Sequence, residues 1–359
     1  MYIIRADGNA VIGAGHLMRC MTVAEELKRR GAQVLFLCAD GQSASMAAEH
    51  GFESESLCDS VSGTGGRKEA LQSELPAWER ILKRRNCLQD NVILADSYRI
   101  TDIYLEGLKR FGRVAMLDDM GQRRFPADLI INYNAPADPE VYRRLYEGSG
   151  SCVLTGSRYI PLRRQFGQSD YQVRSQVGRV LITTGGGDVN NIAGQILDRI
   201  YAAGKEFYLV VGRFNPCFEE LNKIAESCNN VSVFHNVRNM AELMAECDIA
   251  VTAGGTTVYE LAAVGVPFIC FSCAENQEAL TEYVGRTGIA GAAGAYHREP
   301  ERMFENLSRL FDSMVSHREI RERFSRAEQG MVDGGGAERL ANALEQLSRA
   351  HNCDCLERI

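Results

Sequence analysis

The chain holds six histidines, and one of them has the setting of a catalytic group. In "DGNAVIGAGHLMRC" (7–20), His16 follows Gly13 and Gly15 and opens an amphipathic run, which places it at or near the N-terminus of the helix after the first strand. The positive end of a helix disfavours imidazolium and keeps the ring neutral, the form a general base needs. Asp7 stands just upstream. In "LADSYRITD" (94–102), Asp96, Ser97 and Tyr98 end another apolar run and present polar groups, although ordinary strand-end turn chemistry accounts for them equally well. Asp7 or Asp96 is expected to orient the imidazole or a water that it activates. The adjacent Asp118 and Asp119 of "LDDM" point in opposite directions if they lie in a strand, so they make no ready carboxylate pair.

Two glycine-rich stretches follow strand candidates and open helical segments. In "TTGGGDVNN" (183–191), amides around Gly186 and Gly187 could hold an anion, but a tight strand-to-helix turn would look the same. Neither the Lys-Ser/Thr of a P-loop nor the G-x-G-x-x-G spacing of a dinucleotide site is present. "TAGGTTVYELAAVGVPFI" (252–269) is more specific. Gly254 and Gly255 allow close approach to the backbone, Thr256 and Thr257 add hydroxyls at a helix start, and Glu260 falls about one turn into that helix. A phosphate on the amide end would leave an attached ribose near Glu260, which can accept from both ribose hydroxyls. That spacing suits a nucleotide; helix capping beside a solvated glutamate is the plainer alternative. The backbone around Val237 and Met240 could line a base pocket, although the apolar face of Met240, Leu243 and Met244 is most simply core. No D-x-D occurs, so the aspartates that carry a metal in metal-dependent nucleotide-sugar transferases are missing and no metal or cofactor is expected.

These residues need a scaffold, and short apolar runs alternating with helical-period segments supply one. The expected class is α/β, with two Rossmann-like doubly wound domains. Strands are expected at 2–7, 34–39, 92–97, 114–119 and 129–134, then at 177–187, 207–212, 231–237, 249–255 and 267–273. The expected division is a domain over 1–165, a second over 177–345, a polar linker at 166–176 and a frayed tail at 346–359, with a mobile loop at 61–68. Two such domains would place their strand carboxyl ends on a common cleft, where ligands bind in open α/β sheets. A net charge of −7 gives no footprint for nucleic acid, and the longest uncharged run, Leu261 to Ala274, is too short to span a bilayer and contains Gly265 and Pro267. Twelve dispersed cysteines and the absence of an export signal suit a reducing cytoplasm; Cys270 and Cys273 form a C-x-x-C that reads as core. A monomer is the expected state.

The run Arg5-x-Asp7 followed by "IGAGHLMRC", then "ADSY", "LDDM", "LTGSRYIPLRRQF", "AGGTTVYELAAVGVP" and "ENQ" (275–277), resembles the UDP-sugar hydrolases of pseudaminic acid synthesis. That group is similar to spore-coat polysaccharide proteins and, in fold, to MurG-type GT-B glycosyltransferases. The likeness spans about residues 1–345. The first motif is fairly specific to the hydrolase and spore-coat group, whereas the helix after Gly255 marks only nucleotide binding. The resemblance implies release of UDP from UDP-2,4-diacetamido-2,4,6-trideoxy-β-L-altropyranose. It implies His16 as base, Tyr98 beside it, Gly254 to Thr257 and Glu260 on UDP, and Gly13, Gly15, Arg19, Asn276 and Gln277 toward the sugar. A GT-B glycosyltransferase using the same base and the same UDP site is the nearest alternative. A nucleotide-sugar binding protein without turnover is the alternative of another class.

Overall fold

A computed structural model describes residues 1–9, 14–58, 71–167, 169–185, 187–212, 215–235 and 237–349. Gly13, Gly186, the 61–68 loop and the tail beyond 349 lie outside the described residues.

The chain divides into two units, one formed by residues 1–161 with 335–359 and the other by 162–334. In the first, β1 (Tyr2–Ala6), α1 (Gly15–Arg29), β2 (Val34–Cys38), α2 (Gly41–Glu49), β3 (Glu53–Ser56), α3 (Leu75–Arg84), β4 (Asn91–Asp96), α4 (Asp102–Leu108), β5 (Gly112–Leu117), β6 (Leu129–Asn132), α5 (Pro139–Leu145) and β7 (Cys152–Thr155) alternate along the chain. The strands form one parallel sheet in the order β3-β2-β1-β4-β5-β6-β7. Central strands such as β4 are buried along their whole length, as a parallel sheet covered on both faces requires.

The second unit holds β8 (Arg179–Thr183), α6 (Ile192–Ile200), β9 (Glu206–Val211), α7 (Phe218–Ser227), β10 (Val231–His235), α8 (Met240–Ala245), β11 (Ile249–Ala253), α9 (Thr257–Val264), β12 (Phe268–Ser272), α10 (Glu278–Arg286), β13 (Gly291–Ala295), α11 (Pro300–Ser316) and α12 (Arg318–Met331). Its parallel sheet runs β10-β9-β8-β11-β12-β13. Each unit has its own apolar core, around Ile93 and Trp78 in the first and around Val251 and Phe304 in the second. The expected fold class holds, and three strands outside the expected ones join it: β3 (ESES), β7 (CVLT) and β13 (GAAGA).

Two expected boundaries are corrected. The 166–176 stretch is not a linker: Phe166 and Tyr171 are buried, the Ser169 hydroxyl donates to the Val264 carbonyl at 2.8 Å, and Arg174 pairs with Asp248 at 2.9 Å, all within the second unit. The last helix, α13 (Gly336–Arg349), belongs to the first unit, not to a domain ending at 345. It buries Leu340, Leu344 and Leu347, the spacing of one helical face. Arg30, which follows α1, donates to Asn342 Oδ1 at 2.5 Å, and Arg339 donates to the Arg158 carbonyl at 2.7 Å. The backbone at Gly336 runs so close to Ile160 that a Cβ there would stand 2.1 Å from its carbonyl oxygen, which is why glycine opens this helix.

Candidate active site

In the first sheet the chain leaves β1 toward one side and β4 toward the other, so the crevice of the fold opens at the carboxyl ends of these two strands. They pair in register down to Ala6 and Asp96. The chain after β1 enters α1, whose start carries no side-chain cap, and His16 is its second residue. Asp96 is the last residue of β4 and is buried. His16 Nδ1 stands 2.7 Å from Asp96 Oδ1. At that distance two bare acceptors would repel, so Nδ1 carries the proton and donates it, leaving the lone pair on Nε2. No partner meets Nε2 among the described residues, and the side chain is 13% exposed.

Behind this pair stands Arg19, one turn further along α1. Its Nε donates to Asp96 Oδ2 at 2.6 Å and its Nη2 to Oδ1 at 2.5 Å. Its Nη1 donates to Asp119 Oδ2 at 2.8 Å, beyond the end of β5, and to the Tyr133 hydroxyl, beyond the end of β6. Burial opposes the Asp96 charge, but Arg19, and after it His16, more than offset this and hold the carboxyl down at about 2. The Tyr98 ring meets His16 edge-on at 4.6 Å, and its hydroxyl donates to Asp119 at 3.2 Å. Although Tyr98 is 62% exposed, partial desolvation of its hydroxyl and then Asp119 push the phenol up to about 12, so the hydroxyl stays protonated and can donate.

Asp7 is elsewhere. It pairs with Arg5 at 2.7 Å and accepts from the Ala39 amide at 2.7 Å, while Arg5 forks onto Glu74 at 2.8 Å through both Nε and Nη2. The Arg5-x-Asp7 motif is thus a buried ion cluster with Glu74, and of the two aspartates Asp96 is the one that reaches His16 among the described residues. Gly15 has open space where a Cβ would point, so sterics do not require glycine there. Asp118 lies one residue past the end of β5, and its carboxylate accepts from the Met120 and Gly121 amides of the turn that follows.

In the second sheet the crevice opens between β8 and β11, and the two glycine-rich stretches follow these strands. They differ in what their helix starts have left to offer. At α6, Asp188 accepts from the amides of Ile192 and Ala193 at 2.9 Å each, and Asn191 accepts from Gly194. An anion on that helix end would compete with a buried carboxylate, so the turn reading applies there; Gly187 is exposed in the loop before it. At α9 no side chain caps the helix, and no acceptor meets the amides of Thr256 and Thr257 among the described residues. This helix end is open to an anion.

Around it, a Cβ on Gly254 would stand 2.6 Å from Thr281 Oγ1 and 3.0 Å from the Gln277 carbonyl, whereas Gly255 faces open space. Glu260 accepts from Arg163 at 3.2 Å; burial raises its carboxyl despite that cation. Gln277 Oε1 is occupied by the Cys273 amide at 2.8 Å, which makes the side chain a brace, while Asn276 is exposed. Val237 follows β10 half-buried, and Met240 is core.

Residues 163–331 match the glycosyltransferase family 28 C-terminal domain. The fold is GT-B-like: Acinetobacter baumannii MurG superposes with a TM-score of 0.64 at 14% identity, over 96% of this chain and 99% of its own. Over 360 residues the chain is 24% identical to the spore coat polysaccharide biosynthesis protein SpsG of Bacillus subtilis, covering 96% of this chain and 97% of that protein. It is 24% identical over 295 residues to the UDP-2,4-diacetamido-2,4,6-trideoxy-β-L-altropyranose hydrolase of Campylobacter jejuni, covering 80% and 96%. An uncharacterized Methanocaldococcus jannaschii protein is 23% identical over 283 residues; the chain spans about half of its length, 54%.

The family 28 match begins at Arg163, the one cation bonded to Glu260 among the described residues. Sequence reasoning passed over that residue, and over Tyr133 and Asn134, which donates to Asp119 at 3.4 Å; it weighed Asp119 only as a partner for Asp118. Their signal was position: "LDDM" and "NYN" both end apolar runs, as "LADSY" does.

Proposed function

We propose that this protein hydrolyses a UDP-sugar to free sugar and UDP, with UDP-2,4-diacetamido-2,4,6-trideoxy-β-L-altropyranose as the substrate. The observation that carries this is the His16–Asp96 pair, with Nε2 unpartnered among the described residues. Water is a poor nucleophile and gains from a base, whereas UDP leaves readily once its charge meets donors. His16 Nε2 takes the proton as the water oxygen bonds to the anomeric carbon. The bond from that carbon to the β-phosphate oxygen breaks, and UDP departs with the electron pair. Two carboxylates, Asp96 and Asp119, face one guanidinium, and the resulting excess negative charge favours the positive character that grows on the sugar ring as this bond breaks. The nucleotide is assigned to the start of α9, with the diphosphate on the Thr256 and Thr257 amides and the ribose hydroxyls on Glu260. Since those amides stabilise the leaving group and no D-x-D is present, the scheme uses no metal.

The family 28 match and the likeness to MurG favour a second scheme, in which His16 takes its proton from an acceptor hydroxyl and the sugar is transferred. UDP release measured without acceptor and with EDTA separates them. Turnover by the wild type that His16→Ala abolishes, with UDP binding kept, supports hydrolysis. Release only when an acceptor is supplied sinks it in favour of transfer.

A further inference from the structure

We propose that Arg19 is a positioning residue that fixes the Asp96 carboxylate on His16 Nδ1, and thereby the free lone pair on Nε2, and that it is not a sugar contact. This rests on His16 as the base of the proposed reaction.

The donor inventory of the guanidinium carries the assignment. An arginine has five N–H donors in a fixed plane. In Arg19, Nε and one Nη2 hydrogen go to the two oxygens of Asp96, and the two Nη1 hydrogens go to Asp119 and Tyr133. The fifth lies on Nη2 and has no acceptor among the described residues: Nη2 stands 3.0 Å from His16 Nδ1, which carries its own proton, and the side chain is 10% exposed. Four of the five donors are thus committed to Asp96, Asp119 and Tyr133, which leaves no pair of N–H groups to fork onto a sugar.

The acceptor inventory of Asp96 completes it. A carboxylate has about four acceptor sites. Arg19 takes one on each oxygen, and the Cys20 thiol, which burial pushes well above its usual range and so keeps protonated, donates to Oδ2 at 3.5 Å. The remaining place, on Oδ1, is the one His16 Nδ1 fills. With three places held by groups that do not take part in the reaction, the carboxylate cannot rotate away from the imidazole. The charged and polar groups around His16 come from α1 (Arg19), the end of β4 (Asp96 and Tyr98) and, through Arg19, the ends of β5 and β6 (Asp119 and Tyr133). A free histidine side chain prefers its proton on Nε2, so the lock works against the intrinsic preference and has a spectroscopic signature.

The test is the tautomer of His16 by long-range proton–nitrogen correlation NMR at about pH 8, where an ordinary histidine is neutral. His16→Ala assigns the signal by its loss. Wild type is expected to show one form, protonated at Nδ1, and Arg19→Gln a mixture shifted toward Nε2–H. Arg19→Lys keeps the charge between Asp96 and Asp119 should the glutamine variant not fold, yet cannot fork across both Asp96 oxygens, and is expected to show the same mixture. In kinetics, Arg19→Gln is expected to lower kcat about 10²-fold with KM within about twofold, and to cost nothing further in an Asp96→Asn background. An unchanged tautomer, or a raised KM with kcat kept, overturns the proposal and returns Arg19 to the sugar. If the wild type turns over no UDP-sugar with or without acceptor, the functional reading fails, while the tautomer comparison still decides the role of Arg19.

Discussion

Asp96 carries its charge where burial disfavours one, and the cost is offset by the guanidinium that grips both of its oxygens. Asp96→Asn would turn an NH2 toward either Arg19 or His16, both donors, so the amide cannot satisfy the two at once. Its kcat is expected to fall about 10²- to 10⁴-fold, the range for a disabled general base, with UDP affinity by calorimetry unchanged because the nucleotide is assigned to another unit. Unchanged kcat would remove Asp96 from the chemistry. The sign of its acid response also follows. A carboxyl held at about 2, below its ordinary 3.8, contributes stability that is full above 3.8 and is lost as pH falls through about 2. Across that window the urea midpoint of the wild type should fall more steeply than that of Asp96→Asn.

At the scale of elements, α6 and α9 start after neighbouring strands from similar glycine-rich sequence, yet only α9 leaves its first amides open. Two glycines before α9 give separable predictions. Gly254→Ala must displace Thr281 or the Gln277 backbone and is expected to lower Tm by several degrees, consistent with about 1–3 kcal/mol of overpacking. Gly255→Ala meets nothing and should melt as the wild type does, while weakening UDP about tenfold if the diphosphate comes close to that backbone. Equal UDP affinity in Gly255→Ala would move the nucleotide off this helix. The contrast between helices explains what was legible in advance. The Gly254 to Glu260 arrangement is local, so residue order alone indicates a glycine turn opening a helix with Glu260 in its first turn. Asp188 shares its stretch with the glycines, but only coordinates show its carboxylate turned back onto the α6 amides. Arg19 meets Asp96, Asp119 and Tyr133 across separations of 77, 100 and 114 residues, which depend on β1, β4, β5 and β6 being sheet neighbours. Sheet order is not written in hydrophobic period, and neither is the return of α13 to the first unit. The edge strands β3 and β13 escaped because a polar ESES and a small-residue GAAGA carry no run of large apolar side chains.

The whole chain is asymmetric in how its two units are built. The second is one continuous run, 162–334, whereas the first is assembled from 1–161 and the C-terminal segment. Within the first unit, α13 lies against α1, the helix that bears His16 and Arg19, and also reaches β4 and β5. Its Leu340, Leu344 and Leu347 are each about 1% exposed or less. Burying three such side chains is worth about 1.5–3 kcal/mol apiece, a sum comparable to the entire stability of an ordinary domain, about 5–15 kcal/mol. A fragment ending at residue 161 is therefore expected to lack a cooperative melt, and a peptide of residues 335–349 added to it is expected to restore one. Residues 162–334 expressed alone should fold, and UDP should raise their Tm, because α9, Glu260 and Arg163 all lie inside that run. Calorimetry of the two fragments with and without UDP reads all three outcomes. A cooperative melt of 1–161 without the peptide would show that α13 is an accessory to the first unit, and a UDP-dependent Tm in that fragment would place the nucleotide beside His16 instead of on α9.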